Sequence, residues 1–238
     1  MSDDGDDIYV VPTLCPHCDL PRDHRGKHMY GSWTEGGVVH IGRKPITATV
    51  NVEAAAVAIK DLLQAFGVPE SSHTDNTHNR SALAWEEMLA GYREDPADHL
   101  DVTFPAARDP GLVIVSGIKL QSMCAHHLLP FSGVATVAYR PSPGQQVVGL
   151  SKLARVITGY ARRLQVQETI GYDTVNAIMD RLQPSGTAVV ITASHDCMRL
   201  RGVREPGSVT TTMADAGLLQ DHERALIQMA HSEHVRDL

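Results

Sequence analysis

Between Leu112 and Val203 two kinds of apolar pattern alternate in an order that few folds can accommodate. Leu112-Val113-Ile114-Val115 and Val134-Ala135-Thr136-Val137-Ala138-Tyr139 are short and β-branched, which suits strands. After the turn Pro141-Ser142-Pro143-Gly144, the residues Leu153, Val156, Ile157, Tyr160, Ala161 and Leu164 recur at helical spacing. Ile170, Ile178, Met179 and Leu182 mark a second helix, ended by Pro184-Ser185-Gly186. Ala188 to Ala193 reads as the next strand, and a more polar stretch from Met198 to Val203 as the last. Antiparallel strand pairs flanking two helices predict an α+β sheet with its helices on one face. Such a small sheet has edges to hide, and self-association can hide them.

Upstream, Val52, Ala55, Ala56, Ile59, Leu62, Leu63 and Phe66 fall on one helical face, with Gly67 as the stop. A second helix is expected from Arg80 to Gly91, and a final one from Asp221 to His231. Residues 1–48 are rich in Gly, Pro, His and Asp without a period, so they read as an extension to a main domain over 49–238. In that domain the N-terminal helices run to about 110 and the sheet begins at about 111. With 238 residues, 42% of them hydrophobic, the chain can bury one substantial core. A net charge of -7 argues against a nucleic-acid partner, because phosphate backbones are met by clustered Lys and Arg. No apolar run approaches the roughly 18–20 residues that span a bilayer, and Ser2-Asp3-Asp4 is unlike a signal peptide. The expectation is a cytoplasmic protein with no membrane partner.

Four cysteines are too sparse for a disulfide scaffold and, beside histidines, read as metal ligands. Cys124 and His127 are spaced so that a thiolate and an imidazole can meet one ion from a tight turn, and Cys197 offers a third donor from a distant strand. Three protein ligands leave a fourth position for water, as in catalytic zinc sites. Spacing alone fits buried, inert thiols equally well. His126 and His195 lie next to these ligands in sequence, where an imidazole can move protons without binding metal.

Longer motifs are more specific. Ser122-Met123-Cys124-Ala125-His126-His127-Leu128-Leu129-Pro130-Phe131, Val148-Gly149-Leu150-Ser151-Lys152-Leu153-Ala154-Arg155, Arg163-Leu164-Gln165-Val166-Gln167-Glu168 and His195-Asp196-Cys197-Met198 with Arg201-Gly202-Val203-Arg204 resemble GTP cyclohydrolase I in order and spacing. The resemblance covers about residues 50–230. It implies a T-fold subunit of a toroidal homo-oligomer, commonly a decamer, that converts GTP and water to formate and 7,8-dihydroneopterin triphosphate. It implies Zn2+ on Cys124, His127 and Cys197, with His126 and His195 as acid and base. Gln167 and Glu168 would grip guanine, a carboxylate accepting the ring's paired N–H donors. Lys152, Arg155 and Arg201 would hold the triphosphate, and Ser151 would add a hydroxyl contact.

The chain departs from the family pattern in two places, and in the second Asn76-Thr77-His78-Asn79-Arg80 also stands where the family usually reads Asp-Thr-Pro-x-Arg. Ala125 stands where the family usually has Glu, and Leu83 where it usually has a basic residue that helps bind triphosphate. Weaker GTP binding is expected, or compensation by another arginine such as Arg204. In the extension, Cys15, Cys18, His24 and His28 resemble a short zinc knuckle, although fingers usually place about twelve residues between the pairs; a tail with two free thiols is the alternative. Another T-fold enzyme, such as a nitrile reductase of the 7-deazaguanine pathway, needs a nucleophilic Cys and a nicotinamide cofactor but not the paired histidines. A catalytically silent zinc-binding module on this scaffold has no use for the full reactive set. The H-x-E and P-C-x-x-C signature of zinc deaminases is absent.

Overall fold

The computed structural model describes residues 32–34, 37–39, 49–106 and 111–235. The chain divides into two units, residues 1–42 and 43–238. In the first, β1 (Ser32–Thr34) pairs antiparallel with β2 (Gly37–Val39). Cys15, Cys18, His24 and His28 lie outside the described residues.

The second unit opens with α1 (Val52–Ala65), whose first turn is capped by the Asn51 side chain accepting from the Ala54 amide at 2.8 Å. Gly67, at φ +67°, turns the chain away after the helix, as its position in the sequence predicts. α2 (Thr77–Met88) packs back on α1 and begins three residues before the expected Arg80. It also stops short of Gly91, which lies in a 3-10 turn (Ala90–Tyr92) followed by another (Pro96–Leu100). A Cβ at Gly91 would sit 2.2 Å from the Gly159 carbonyl oxygen, so a glycine there allows close approach to the helix beyond. Val57, Leu62, Phe66 and Leu83 remain exposed on this helical pair.

A short strand β3 (Thr103–Pro105) precedes the two long ones, β4 (Val113–Cys124) and β5 (Pro130–Arg140). These form one hairpin, bulged between Val115 and Ile118, where Gly117 adopts φ +70°. β6 (Gln146–Val148) returns to pair with β3. Then come α3 (Leu150–Ala161), the two-residue β7 (Leu164–Gln165), α4 (Gln167–Leu182), β8 (Gly186–His195) and the one-turn α5 (Asp196–Arg199). The edge strand β9 (Thr210–Gly217) and the helix α6 (Asp221–Val235) close the chain. The main sheet has the order β7-β4-β5-β8-β9, antiparallel except for the β4–β7 pair.

One sequence expectation needs correction. Met198 to Val203 is not a strand: Met198 belongs to α5, and Leu200 and Val203 project into solvent at 67% and 66% exposure. The last strand is β9, whose Thr-rich alternation suits an edge with one face in solvent. The two central helices share one face as expected, while the C-terminal α6 lies on the other. α3 and α4 cover Leu120, Phe131, Val137, Val189 and Ile191, whereas α6 covers Ala138, Ala188 and Val190 with Ile227. Successive side chains point to opposite faces, and β5 and β8 are buried at nearly every position, so both faces are apolar and each needs its own cover.

The α6 face also carries polar anchors. The buried His231 ring reaches the hydroxyls of Thr136 (3.0 Å, Nδ1) and Thr192 (2.9 Å, Nε2). Glu223 accepts from Arg140 at 2.5 Å, and Arg224 pairs with Asp215. His234 lies against the β4 bulge, 3.2 Å from the Ser116 hydroxyl.

Candidate metal and proton-transfer site

The hairpin turn between Cys124 and Pro130 is held from three sides. The Cys124 amide donates to the Leu129 carbonyl at 2.8 Å, the Leu128 amide donates to the Cys124 carbonyl at 2.9 Å, and the Ala125 amide donates to the Gln165 carbonyl of β7 at 3.0 Å. Leu128 takes φ +54°, a left-handed conformation that costs a branched side chain roughly 1–2 kcal/mol. Such strain persists where its surroundings fix the backbone, and it clusters at functional sites.

Within this turn Cys124 is buried, while His126 and His127 are exposed. Their donor atoms all lie within 4.8 Å of one another. Cys124 Sγ is 3.6 Å from His127 Nδ1. A tetrahedral zinc with Zn–S of about 2.3 Å and Zn–N of about 2.0–2.1 Å would hold such a pair about 3.5 Å apart. The expected triad differs from this cluster by one member, since His126 stands where Cys197 was expected.

Cys197 is nonetheless adjacent. It sits in α5, not on a strand, with its thiol close enough to that of Cys124 for the two to interact. Burial, followed by the neighbouring Cys124 sulfur, pushes the Cys197 thiol above its ordinary range, with Arg201 pulling the other way. Two thiols side by side with imidazoles in reach form a soft donor set that a divalent cation would relieve of mutual repulsion. On chemistry and spacing the residues fit zinc.

His195 ends β8 and stands opposite Phe131 in the β5–β8 register. The two rings stack 4.5 Å apart and 12° from parallel. Burial holds the His195 imidazole below its ordinary proton affinity, and the charge of Glu168 acts in the opposite direction. His195 Nε2 is 2.8 Å from Gln167 Oε1.

Gln167 was expected beside guanine, yet it is 2% exposed. Its Nε2 contacts the carbonyls of Ile191 and Thr210, both at 3.0 Å, and the Thr212 hydroxyl at 3.1 Å. Both ends of the amide are therefore engaged within the chain. Glu168, one residue on in the first turn of α4, is exposed. Ser151, Lys152 and Arg155 lie near the start of α3, with Ser151 and Arg155 exposed; among the described residues none bonds to the Cys/His cluster. Arg201 and Arg204 are exposed beyond α5. A cavity of about 600 Å³ adjoins the site, with Ser122, Phe131, Asp196 and Arg162 in its wall. That size lies in the range of small-molecule pockets.

Phe131, Thr210 and Thr212 carried no role in the sequence reading. Phe131 stands in the quoted motif, but its stacking on His195 follows from cross-strand register, which needs both strand ends to be known.

The chain matches the family model for GTP cyclohydrolase I over residues 55–233. It is 42% identical over 193 residues to the GTP cyclohydrolase 1 of Carboxydothermus hydrogenoformans, covering 79% of this chain and 100% of that protein. The enzyme of the same name from Desulforamulus reducens is 47% identical over 70% of this chain and 88% of its own length. For that of Clostridioides difficile the values are 44%, 72% and 90%. Among solved structures, the archaeosine synthase QueF-Like in the apo form aligns with TM-score 0.38 and 17% identity over 48% of this chain and 100% of that chain, too slight a likeness to bear on fold or function. The chain therefore belongs to the GTP cyclohydrolase I family of hydrolases.

Proposed function

We propose that this chain is a zinc-dependent GTP cyclohydrolase I, which opens the guanine imidazole ring of GTP at C8, releases formate and forms 7,8-dihydroneopterin triphosphate. The observation that carries the reading is the meeting of Cys124, His126 and His127, with Cys197 beside them, in a chain of this family. Cys124, His127 and Cys197 hold the zinc, which when bound supplies Lewis acidity and activation of water.

The chain's own groups do the rest. His126, exposed in the turn, and His195, backed by Phe131, exchange protons with the ring nitrogens as the C–N bonds break. Glu168 accepts the paired N–H donors of guanine, a pattern adenine lacks. Lys152, Arg155 and Arg201 bind the triphosphate, with Ser151 adding a hydroxyl contact. The subunit is a T-fold unit of a ring-shaped homo-oligomer, probed by sedimentation, and its exposed edge β9 is one surface available for pairing.

The test is incubation of zinc-loaded protein with GTP, followed by assays for formate and the fluorescent oxidised pterin. Both products appear on this reading, and a Cys124→Ser variant yields neither. Absence of both from zinc-containing wild-type protein would refute it.

A further inference from the structure

The amide of Gln167 has one admissible orientation. Two of the three groups around its Nε2 are backbone carbonyls, those of Ile191 and Thr210, which accept and cannot donate. Flipping the amide would press Oε1 against both carbonyl oxygens inside the protein, with the Thr212 hydroxyl the sole possible donor. The nitrogen therefore faces the carbonyls, and Oε1 faces His195 at 2.8 Å. An amide oxygen is purely an acceptor, so the proton in that bond belongs to His195 Nε2. Stacking on Phe131 fixes the plane in which the ring is held.

We infer that Gln167 is a positioning residue that locks His195 with its proton on Nε2, so that Nδ1 is the one ring nitrogen through which His195 exchanges protons with the substrate. The inference rests on the reading of His195 as a proton-transfer group and gives Gln167 a role other than contact with guanine. The lock reaches from α4 to β8 and β9, because the carbonyls that orient Gln167 belong to Ile191 and Thr210. Which nitrogen of a histidine is protonated is set in this way by the partner of the other nitrogen. For histidines that hold a metal, partners of this kind are commonly worth 10- to 100-fold in affinity or activity, and the same scale is taken for His195.

Two measurements on the full-length, zinc-loaded protein test it. Solid-state NMR of protein labelled with 15N in its histidine rings, with a His195→Gln sample to identify the resonances, reads the tautomer directly. A protonated Nε2 and a bare Nδ1 in the wild type, with Gln167→Met shifting population to the other tautomer, supports the lock. Protonated Nδ1 in the wild type, or an unchanged tautomer in Gln167→Met, overturns it. Steady-state kinetics with GTP supply the second readout. The lock predicts that Gln167→Met lowers kcat about 10- to 100-fold with KM within about 3-fold. A guanine contact would instead raise KM. A merely structural role would lower stability in Gln167→Met while leaving the His195 tautomer of the folded protein unchanged. A wild type that makes no pterin defeats the functional reading and leaves the NMR result standing by itself.

Discussion

Replacing Arg163 by Met should cost the fold about 2–6 kcal/mol, since two carbonyls inside the protein lose their donor at about 1–3 kcal/mol each. Arg163 is 5% exposed, and its Nε and one terminal nitrogen donate to the carbonyls of Gly91 at 2.7 Å and Glu94 at 3.1 Å. Hydrogen bonds from a charged donor contribute about 1.5–3 kcal/mol each, so the two together supply about 3–6. The guanidinium also lies 5.3 Å from the Tyr160 ring centroid and 5.8 Å from that of Tyr92, distances at which each ring adds about 0.5–1 kcal/mol. Against this stands burial, which disfavours the charged form and lowers the arginine's proton affinity, with Tyr160 and Asp95 opposing. Met fills much of the same volume but leaves two carbonyls short of a donor. Lys keeps the charge without the planar fork and should recover less than half of the loss. Urea unfolding, at fixed protein and zinc concentrations, can be followed by the fluorescence of Trp85 in the adjoining helix α2. A Met variant within about 0.5 kcal/mol of wild type, or a Lys variant equal to wild type, would refute the reasoning.

Gly133→Ala should be more damaging than its size suggests, because a Cβ there would lie 2.0 Å from the Thr192 carbonyl oxygen and 2.6 Å from Ala193 Cα. Separating β5 from β8 to admit it costs at least about 1–3 kcal/mol and disturbs the Phe131–His195 stack, seen as a lowered midpoint together with lost turnover; an unchanged midpoint would contradict this. Acid should loosen α6 through His231, whose proton affinity is lowered by burial and by His234. Its contribution is complete above the unfolded value of about 6.5 and declines as pH falls toward the lower folded value, since the unfolded chain takes up the proton first. Urea midpoints measured from pH 7.5 to 5 should therefore fall less steeply for His231→Asn than for wild type, and an equal slope would remove His231 from the account. Leu83, 57% exposed on α2, is the position where the family usually carries a cation. Leu83→Lys should lower the KM for GTP by about 2- to 5-fold, and no change in KM would separate this position from the triphosphate.

Helices α1, α3 and α4 were legible because their buried faces repeat at the helical period, with Gly67 and Pro184 as stops. Strands β4 and β5 were read short at the end that matters. Lys119, Gln121 and Ser122 dilute the β-branched signal, so nothing local shows that β4 runs to Cys124 itself. The Met198–Val203 stretch misled because Leu200 and Val203 are apolar yet exposed, whereas β9 pairs along its whole length with a half-polar sequence. At the site, residue types and spacing led to Cys124, His126, His127, His195 and Cys197. What they do not encode is which end of an amide faces which neighbour. The resemblance points Gln167 at guanine, and only the carbonyls of Ile191 and Thr210 reveal how its amide is oriented.

The two-residue strand β7 has a mechanical consequence. It lies between α3 and α4 in the chain, yet it is bonded into the sheet beside Met123 and Cys124, and its Gln165 carbonyl holds the Ala125 amide. The helical layer is thus riveted to the sheet at the cysteine turn, and sliding of α3 and α4 across the strands would be transmitted to the Cys/His cluster as a change in spacing. Whatever presses on those helices from outside the chain has a short lever on the donor atoms.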